Sequence, residues 1–255
     1  MSEADRVKAT APGPFGEETA RVPAARLGVA VVHDLVTIIV SGEVAPGDSL
    51  PPEERLAQHF GVSRTVIRES VKRIEEKGLV TVAPGRGTQV QPSTSWNMLD
   101  PVVLEVLVEN DDSLGVLDDL AVVRSSLEGA MSAETAARRS DADLEQLRRA
   151  YAQMEASIAD EARFAQADFE FHVLVMALSG NQLAGNITKT LFERARESSR
   201  FTANQNEEAF RITLEEHHGV LKAIEAGDPV AADQTMRHHI MDAWQRRRLP
   251  TRRSR

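Results

Sequence analysis

"SGEVAPGDSLPPEERLAQHFGVSRTVIRESVKRIEEKGLVTVAPGRGTQV", residues 41–90, is the stretch that decides the fold. A Pro-Gly-Asp turn and the proline pair Pro51 and Pro52 lead into a short helix predicted over 52–60, because proline suits a first helical turn whose N–H groups have no partner. Gly61 ends it. Ser63 then stands as an N-cap, Val66, Ile67, Val71 and Ile74 recur on one helical face, and Gly78 closes the second helix. Beyond it Leu79, Thr81, Thr88 and Val90 alternate around "APGRG", which reads as a two-stranded hairpin. Upstream, Leu27, Val31, Leu35 and Ile38 place a further helix over 26–41. Helix, tight turn, helix and hairpin describe a winged helix-turn-helix.

That geometry has a use. The polar face of the second helix displays Ser63, Arg64, Thr65 and Arg68 near its N-terminus, where side chains and backbone N–H groups reach base edges and phosphates. Arg86, at the glycine-flanked tip of the hairpin, reaches a neighbouring groove or backbone. The net charge of −9 conceals this: Lys and Arg number 6 against 3 Asp and Glu over 61–92, but 13 against 27 over 93–245. A helical hairpin with a solvated basic face is the alternative reading of the same residues.

From Trp96 onward the apolar spacing is almost wholly helical, with breaks at "NDD", "RRSDAD", "SGN" and "AGDP". The spacing predicts helices over 98–109, 113–138, 141–159, 162–178, 181–203, 207–226 and 229–248, an antiparallel bundle. The fold class is therefore mainly α, a winged domain followed by an all-α bundle. Residues 1–24 are expected to be a disordered arm, 25–92 the winged domain, 93–97 a linker, 98–248 the bundle and 249–255 a basic tail.

Four of the seven histidines fall in "EEHHGVLKAIEAGDPVAADQTMRHHI", residues 215–240. At 100° per residue, Leu214, Val220, Leu221 and Ile224 define an apolar face with His217 near its centre and His218 at its margin. Ala232, Met236, Ile240 and Ala243 define another, with His239 at its edge and His238 further out. Asp168 and His172, four apart, stack on one side beside Phe164, Phe171 and Val175. Three inward imidazoles and one carboxylate suit Zn²⁺, Ni²⁺, Mn²⁺ or Fe²⁺, and spacing does not choose among them; interior histidines satisfied by hydrogen bonds are the other reading. The chain has no cysteine, so any metal is held by histidine and carboxylate. A divalent ion, one carboxylate and neutral imidazoles sum to +1, which attracts an anion. Arg124 lies on the apolar stripe of Leu117, Leu120, Leu127 and Met131, placed either for a carboxylate ligand or for Glu128.

The quoted stretch 41–90 resembles, over its whole length, the DNA-binding domain of GntR-type bacterial transcriptional regulators. The resemblance implies that Ser63, Arg64, Thr65 and Arg68 read the operator and that Gly85 and Arg86 act from the wing. Many members carry an arginine where this chain has Glu54, with Arg55 one place later as the candidate phosphate contact. "VRSSLEGAMSAETAARRS", "DFEFHVLVMALSGN" and residues 215–240 resemble the FCD effector domain of the FadR subfamily, which implies Asp168, His172, His217 and His239 as metal ligands and Arg124 and Asn181 as effector contacts. "WNMLDPVVLEVLVEN" looks like the linker of members that sense sugar acids such as galactonate.

These readings describe a cytoplasmic, non-enzymatic DNA-binding regulator. It is expected to be a repressor, a homodimer on a pseudo-palindromic operator, controlled by a small carboxylate at a divalent metal with Zn²⁺ first and Ni²⁺ or Mn²⁺ behind it. The alternatives are a direct metal sensor and a metal-dependent hydrolase. No apolar run is long enough to span a membrane.

Overall fold

The computed structural model describes residues 24–198, 201 and 206–248. Of the N-terminal arm expected over 1–24, residues 1–23 lie outside them and Ala24 opens the first helix; the basic tail at 249–255 also lies outside them. In order come α1 (Ala24–Val40), α2 (Glu53–Phe60), α3 (Arg64–Glu76), β1 (Val80–Ala83), β2 (Gly87–Val90), a 3₁₀ turn (Ser93–Ser95), α4 (Pro101–Asn110), α5 (Gly115–Arg138), α6 (Asp141–Ala156), α7 (Glu161–Ser179), α8 (Gln182–Glu197), α9 (Glu207–Ala226) and α10 (Pro229–Arg248).

Gly61 makes the turn between α2 and α3 by adopting φ 65°, a left-handed conformation that costs other residues about 1–2 kcal/mol. Ser63 then caps α3, its Oγ accepting from the Val66 N–H at 3.3 Å. The apolar face of α3 buries Ile67, Val71 and Ile74 against Leu35, Val36 and Ile39 of α1 and Leu56 of α2. Strands β1 and β2 pair antiparallel, Val80 opposite Val90 and Ala83 opposite Gly87, leaving Pro84, Gly85 and Arg86 as the tip. The wing is broader than the predicted hairpin, because Ser49 bridges Gln89 and the Leu50 N–H donates to the Thr88 carbonyl at 2.8 Å. A single bridged pair is too short to leave an alternation in the sequence.

The segment after the wing is fastened down. Trp96 Nε1 donates to the Gln91 carbonyl at 3.0 Å and the Asn97 N–H to the Lys77 carbonyl at 2.9 Å. Asp100 caps α4, accepting from the Val102 N–H at 3.0 Å, and also pairs with Lys77 at the end of α3. Helix α4 then divides its apolar residues. Val103 and Val106 are buried in the core of the winged domain. Leu104 and Val108 are buried in a cluster with Leu117 and Leu120 of α5, Phe192 of α8 and Trp244 of α10.

The remaining helices enclose a second bundle core, built around Phe164, Phe171 and Val175 of α7, Val220 and Ile224 of α9, and Met236 and Ile240 of α10. Helix α8 is shorter than the predicted 181–203: it ends at Glu197, and Ser198 is extended at ψ 132°. Serine favours such exits because its hydroxyl competes for backbone groups. Among the described residues no helix is long and apolar enough to cross a membrane.

Gly78 sits at φ 77°, and a Cβ there would lie 2.1 Å from the Ser95 carbonyl oxygen, whereas a Cβ on Gly61 meets nothing within 4 Å. Both Gly→Ala changes incur left-handed strain, but only Gly78→Ala also forces the backbone apart. Gly78→Ala is expected to cost at least about 2 kcal/mol more than Gly61→Ala in urea denaturation. Equal costs would mean that the segment at Ser95 yields freely.

Candidate functional site

Helix α7 starts on the Asp160 cap, whose carboxylate accepts from the Arg163 N–H at 3.1 Å, and ends where Gly180 turns left-handed. Within it Asp168 and His172 stand one turn apart. Helix α9 brings His217 and α10 brings His239 to the same point, and one ligand atom from each of the four lies within 4.8 Å of the others. All four residues are buried. His172 Nε2 is 3.2 Å from His239 Nε2, and Asp168 Oδ1 is 3.5 Å from His217 Nε2 and 4.0 Å from His172 Nε2. Ligands bound about 2.1 Å from one ion lie roughly 3 to 3.5 Å apart.

The protons are turned outward. His217 Nδ1 faces the Thr213 carbonyl at 2.8 Å, and a carbonyl only accepts, so Nδ1 carries the hydrogen. His172 Nδ1 donates to Glu128 at 2.5 Å and His239 Nδ1 to Glu216 at 2.9 Å. When the rings are neutral, each imidazole presents an unprotonated Nε2 to the centre. His217 Nε2 and Asp168 Oδ1 are both buried with no hydrogen-bond partner, and two facing Nε2 lone pairs repel. A buried, proton-free set of three nitrogens and one oxygen is satisfied by a cation, so these residues fit a metal; the donor set suits borderline divalent ions.

Burial depresses His217 to about 4 and holds His239 well below the ordinary imidazole range, so both are neutral near pH 7. For Asp168, burial pushes the carboxyl up, but the neighbouring imidazoles and the guanidiniums of Arg247 and Arg124 outweigh it and hold the group below its usual value. Glu128 is likewise opposed by burial, yet Arg124 and His172 bring it down to about 2.

Arg124 is buried and takes the Glu128 partner read from its position. Its Nε donates to Glu128 at 2.7 Å, its guanidinium lies 3.3 Å over the Phe192 ring, and it lines a pocket of about 10 Å³ with Asp168, His172, His239 and Arg247. Asn181 is elsewhere: it caps α8, accepting from the Ala184 N–H at 3.1 Å, beside a groove lined by Val173, Met176 and Lys189. Arg247 was not among the residues singled out from the sequence. It lines the small pocket and an adjoining cavity of about 90 Å³ that also holds Asp168, Phe164, Phe192, Thr213 and Arg246. Its spacing of seven from the buried Ile240, two turns on the same face, was the available signal. Glu216 was also missed; Arg246 grips it with Nη1 and Nη2 at 2.5 and 2.7 Å while it holds His239.

On the winged domain Ser63, Arg64, Thr65 and Arg68 are all exposed on α3, and Gly85 and Arg86 are exposed at the wing tip. Arg55 is exposed on α2, beside an apolar groove lined by Leu35, Val44 and Phe60. Arg64 and Arg68 are not alone. Arg64 Nη2 donates to Glu54 at 2.5 Å, and Arg68 donates to Glu53 through Nε and Nη2 at 3.3 and 3.1 Å.

Residues 27–90 match the family described as bacterial regulatory proteins, gntR family, and residues 119–242 match the FCD domain. The chain is 31% identical over 204 residues to the galactonate operon transcriptional repressor of Escherichia coli (strain K12), covering 80% of this chain and 89% of that one. It is 29% identical over 207 residues to the HTH-type transcriptional regulator LutR of Bacillus subtilis (strain 168), covering 80% and 93%. A solved structure titled for Lar, which controls expression of the Listeria monocytogenes agr system, shares the fold at a TM-score of 0.56 and 20% identity, over 87% of this chain and 96% of that one. Those relatives are regulators and not enzymes, and with a winged helix-turn-helix ahead of an FCD bundle the chain belongs to the gntR family of bacterial transcriptional regulators, in its FadR-type branch.

Proposed function

We propose that this regulator is a cytoplasmic repressor that binds a pseudo-palindromic operator as a homodimer and leaves it when a small carboxylate enters the bundle beside a bound divalent metal. The convergence of three proton-free Nε2 atoms and an unpartnered carboxylate oxygen in the bundle interior carries the reading. Zn²⁺ is the first choice, with Ni²⁺ and Mn²⁺ next. The metal would supply positive charge and a coordination position for an anionic oxygen. A sugar acid is one candidate for the carboxylate, supported by the likeness to a galactonate operon repressor.

The chain's own residues do the rest. Arg124 is already held by Glu128 and Phe192, so it contributes a fixed positive charge at the floor of the site. Arg247, stacked over Phe201, lines the cavity beside Asp168 and adds a second guanidinium charge where a carboxylate would arrive. An anion bound between α7, α8 and α10 changes how those helices pack. Helix α4 packs with Phe192 and Trp244 on one side and with the winged core on the other, so it carries that change to α3. Only a difference in anion affinity between two arrangements can release DNA.

The test starts with elemental analysis of native protein and of the Asp168→Ala, His217→Ala double variant. About one divalent ion per wild-type chain and none in the variant is expected, since each lost ligand removes a bond to the ion. Metal-loaded protein on duplex selected from random DNA should then lose affinity in galactonate or another small carboxylate. Operator affinity that follows the metal alone would instead make the chain a direct metal sensor. No metal in the wild type, with the fold intact, would end the metal reading.

Glu128→Gln is expected to weaken metal binding by about 10–100-fold while preserving helicity, because it loosens the orientation of His172. Competition with a chelating dye measures this. Acid should act on the metal-free protein in a defined window. His217 is lowered to about 4 when folded, so the unfolded chain binds its proton first as pH falls from 6.5. Stability is therefore present above about 6.5 and declines toward pH 4, by on the order of 3 kcal/mol. Glu128, lowered to about 2, extends the loss below pH 4.5. Denaturation midpoints in chelator that stay flat from pH 7 to 4 would contradict this.

A further inference from the structure

The two acidic residues that open α2 end at the DNA-facing arginines of α3. Carboxylates in a first helical turn favour the helix dipole, which accounts for Glu53 and Glu54 being there. It does not account for where their side chains go. Glu53 receives two donors from Arg68, Nε and Nη2, in the fork geometry that fixes a guanidinium plane. Glu54 takes Arg64. All four side chains are open to solvent, so packing does not impose these pairs.

We propose that Glu53 and Glu54 are positioning residues for sequence readout, orienting Arg68 and Arg64 toward base edges and cancelling the charge those arginines would otherwise offer to any phosphate. The inference rests on α3 being the helix that enters the major groove. An arginine reading guanine uses a planar, two-toothed contact, and a carboxylate behind the guanidinium restricts it to that plane in advance. Nonspecific binding draws on net positive charge through counterion release. A neutralised pair contributes little to it. The two effects act in the same direction: weaker binding to random DNA, and retained binding where the right base pair is present.

The experiment is a double-mutant cycle on the full-length metal-loaded protein. Wild type, Glu53→Ala with Glu54→Ala, Arg64→Ala with Arg68→Ala, and the quadruple variant are titrated with a selected duplex and a random-sequence duplex over a range of KCl. The glutamate variant is expected to bind random DNA about 3–10-fold more tightly, with a log–log salt slope steeper by about 1–2, and to lose several-fold in its preference for the selected duplex. In the arginine-deleted background the same glutamate changes should leave that preference unaltered. If removing the glutamates shifts both duplexes equally in both backgrounds, they act only as distant negative charge and the proposal is overturned. No shift in either duplex overturns it as well. If the arginine variant itself binds both duplexes like wild type, the placement of α3 fails first, which separates the two claims. Circular dichroism of each variant checks that the exposed substitutions leave the fold intact.

Discussion

Three imidazoles buried in a helical bundle can keep their Nε2 atoms bare only if something outside the cluster takes every Nδ1 proton. That requirement organises the bundle. Two of the three acceptors are carboxylates, and each carboxylate is itself held by an arginine, giving parallel chains of Arg124, Glu128 and His172 and of Arg246, Glu216 and His239. The third acceptor is the main-chain carbonyl of Thr213, one turn before His217. Carboxylates drawn out of water are costly unless paired, and here buried Glu128 and half-buried Glu216 each have both a guanidinium and an imidazole. The ring faces are used too, with Phe171 edge-on to His217 and Phe192 edge-on to His172. The cluster thereby ties α5, α7, α9 and α10 together at one point.

The distribution of charge follows the division of labour. The acidic excess over 93–245 surrounds the bundle, while the locally basic stretch 61–92 contains the recognition helix and the wing. An acidic body is repelled by DNA, so the field of the whole molecule turns the winged end toward the duplex during encounter. A chain with negative net charge can therefore bind nucleic acid without binding it everywhere.

Helical phase made much of this legible in advance. His217 and His218 are neighbours in sequence, yet the first is buried and the second is exposed beside Tyr151, as the 100° step between them requires. His238 and His239 divide the same way. The helix-turn-helix was equally readable, because Gly61, Ser63 and Gly78 mark its joints chemically. Periodicity says which side of a helix is inward but not which helix it meets. Glu216 as the partner of His239 depends on the pairing of α9 with α10, which no single-helix pattern contains, whereas phase puts Arg247 on the inward side of α10 without saying which cavity it lines. The pairing of Glu53 with Arg68 likewise crosses between helices. Helix α4 was read as part of the bundle alone, since one apolar helix looks the same whether it serves one core or two.

That sharing has an evolutionary consequence. A winged domain joined to different sensor domains is exchangeable only where the cut leaves both cores closed. Here a recombination breakpoint in the short segment between Pro92 and Asp100 would leave Val103 and Val106 without their apolar partners on α1, and would open a hole in the winged core they fill. A breakpoint after α4 would strip Leu104 and Val108 from the bundle. A clean exchange of either half would therefore have to bring both faces of α4 with it.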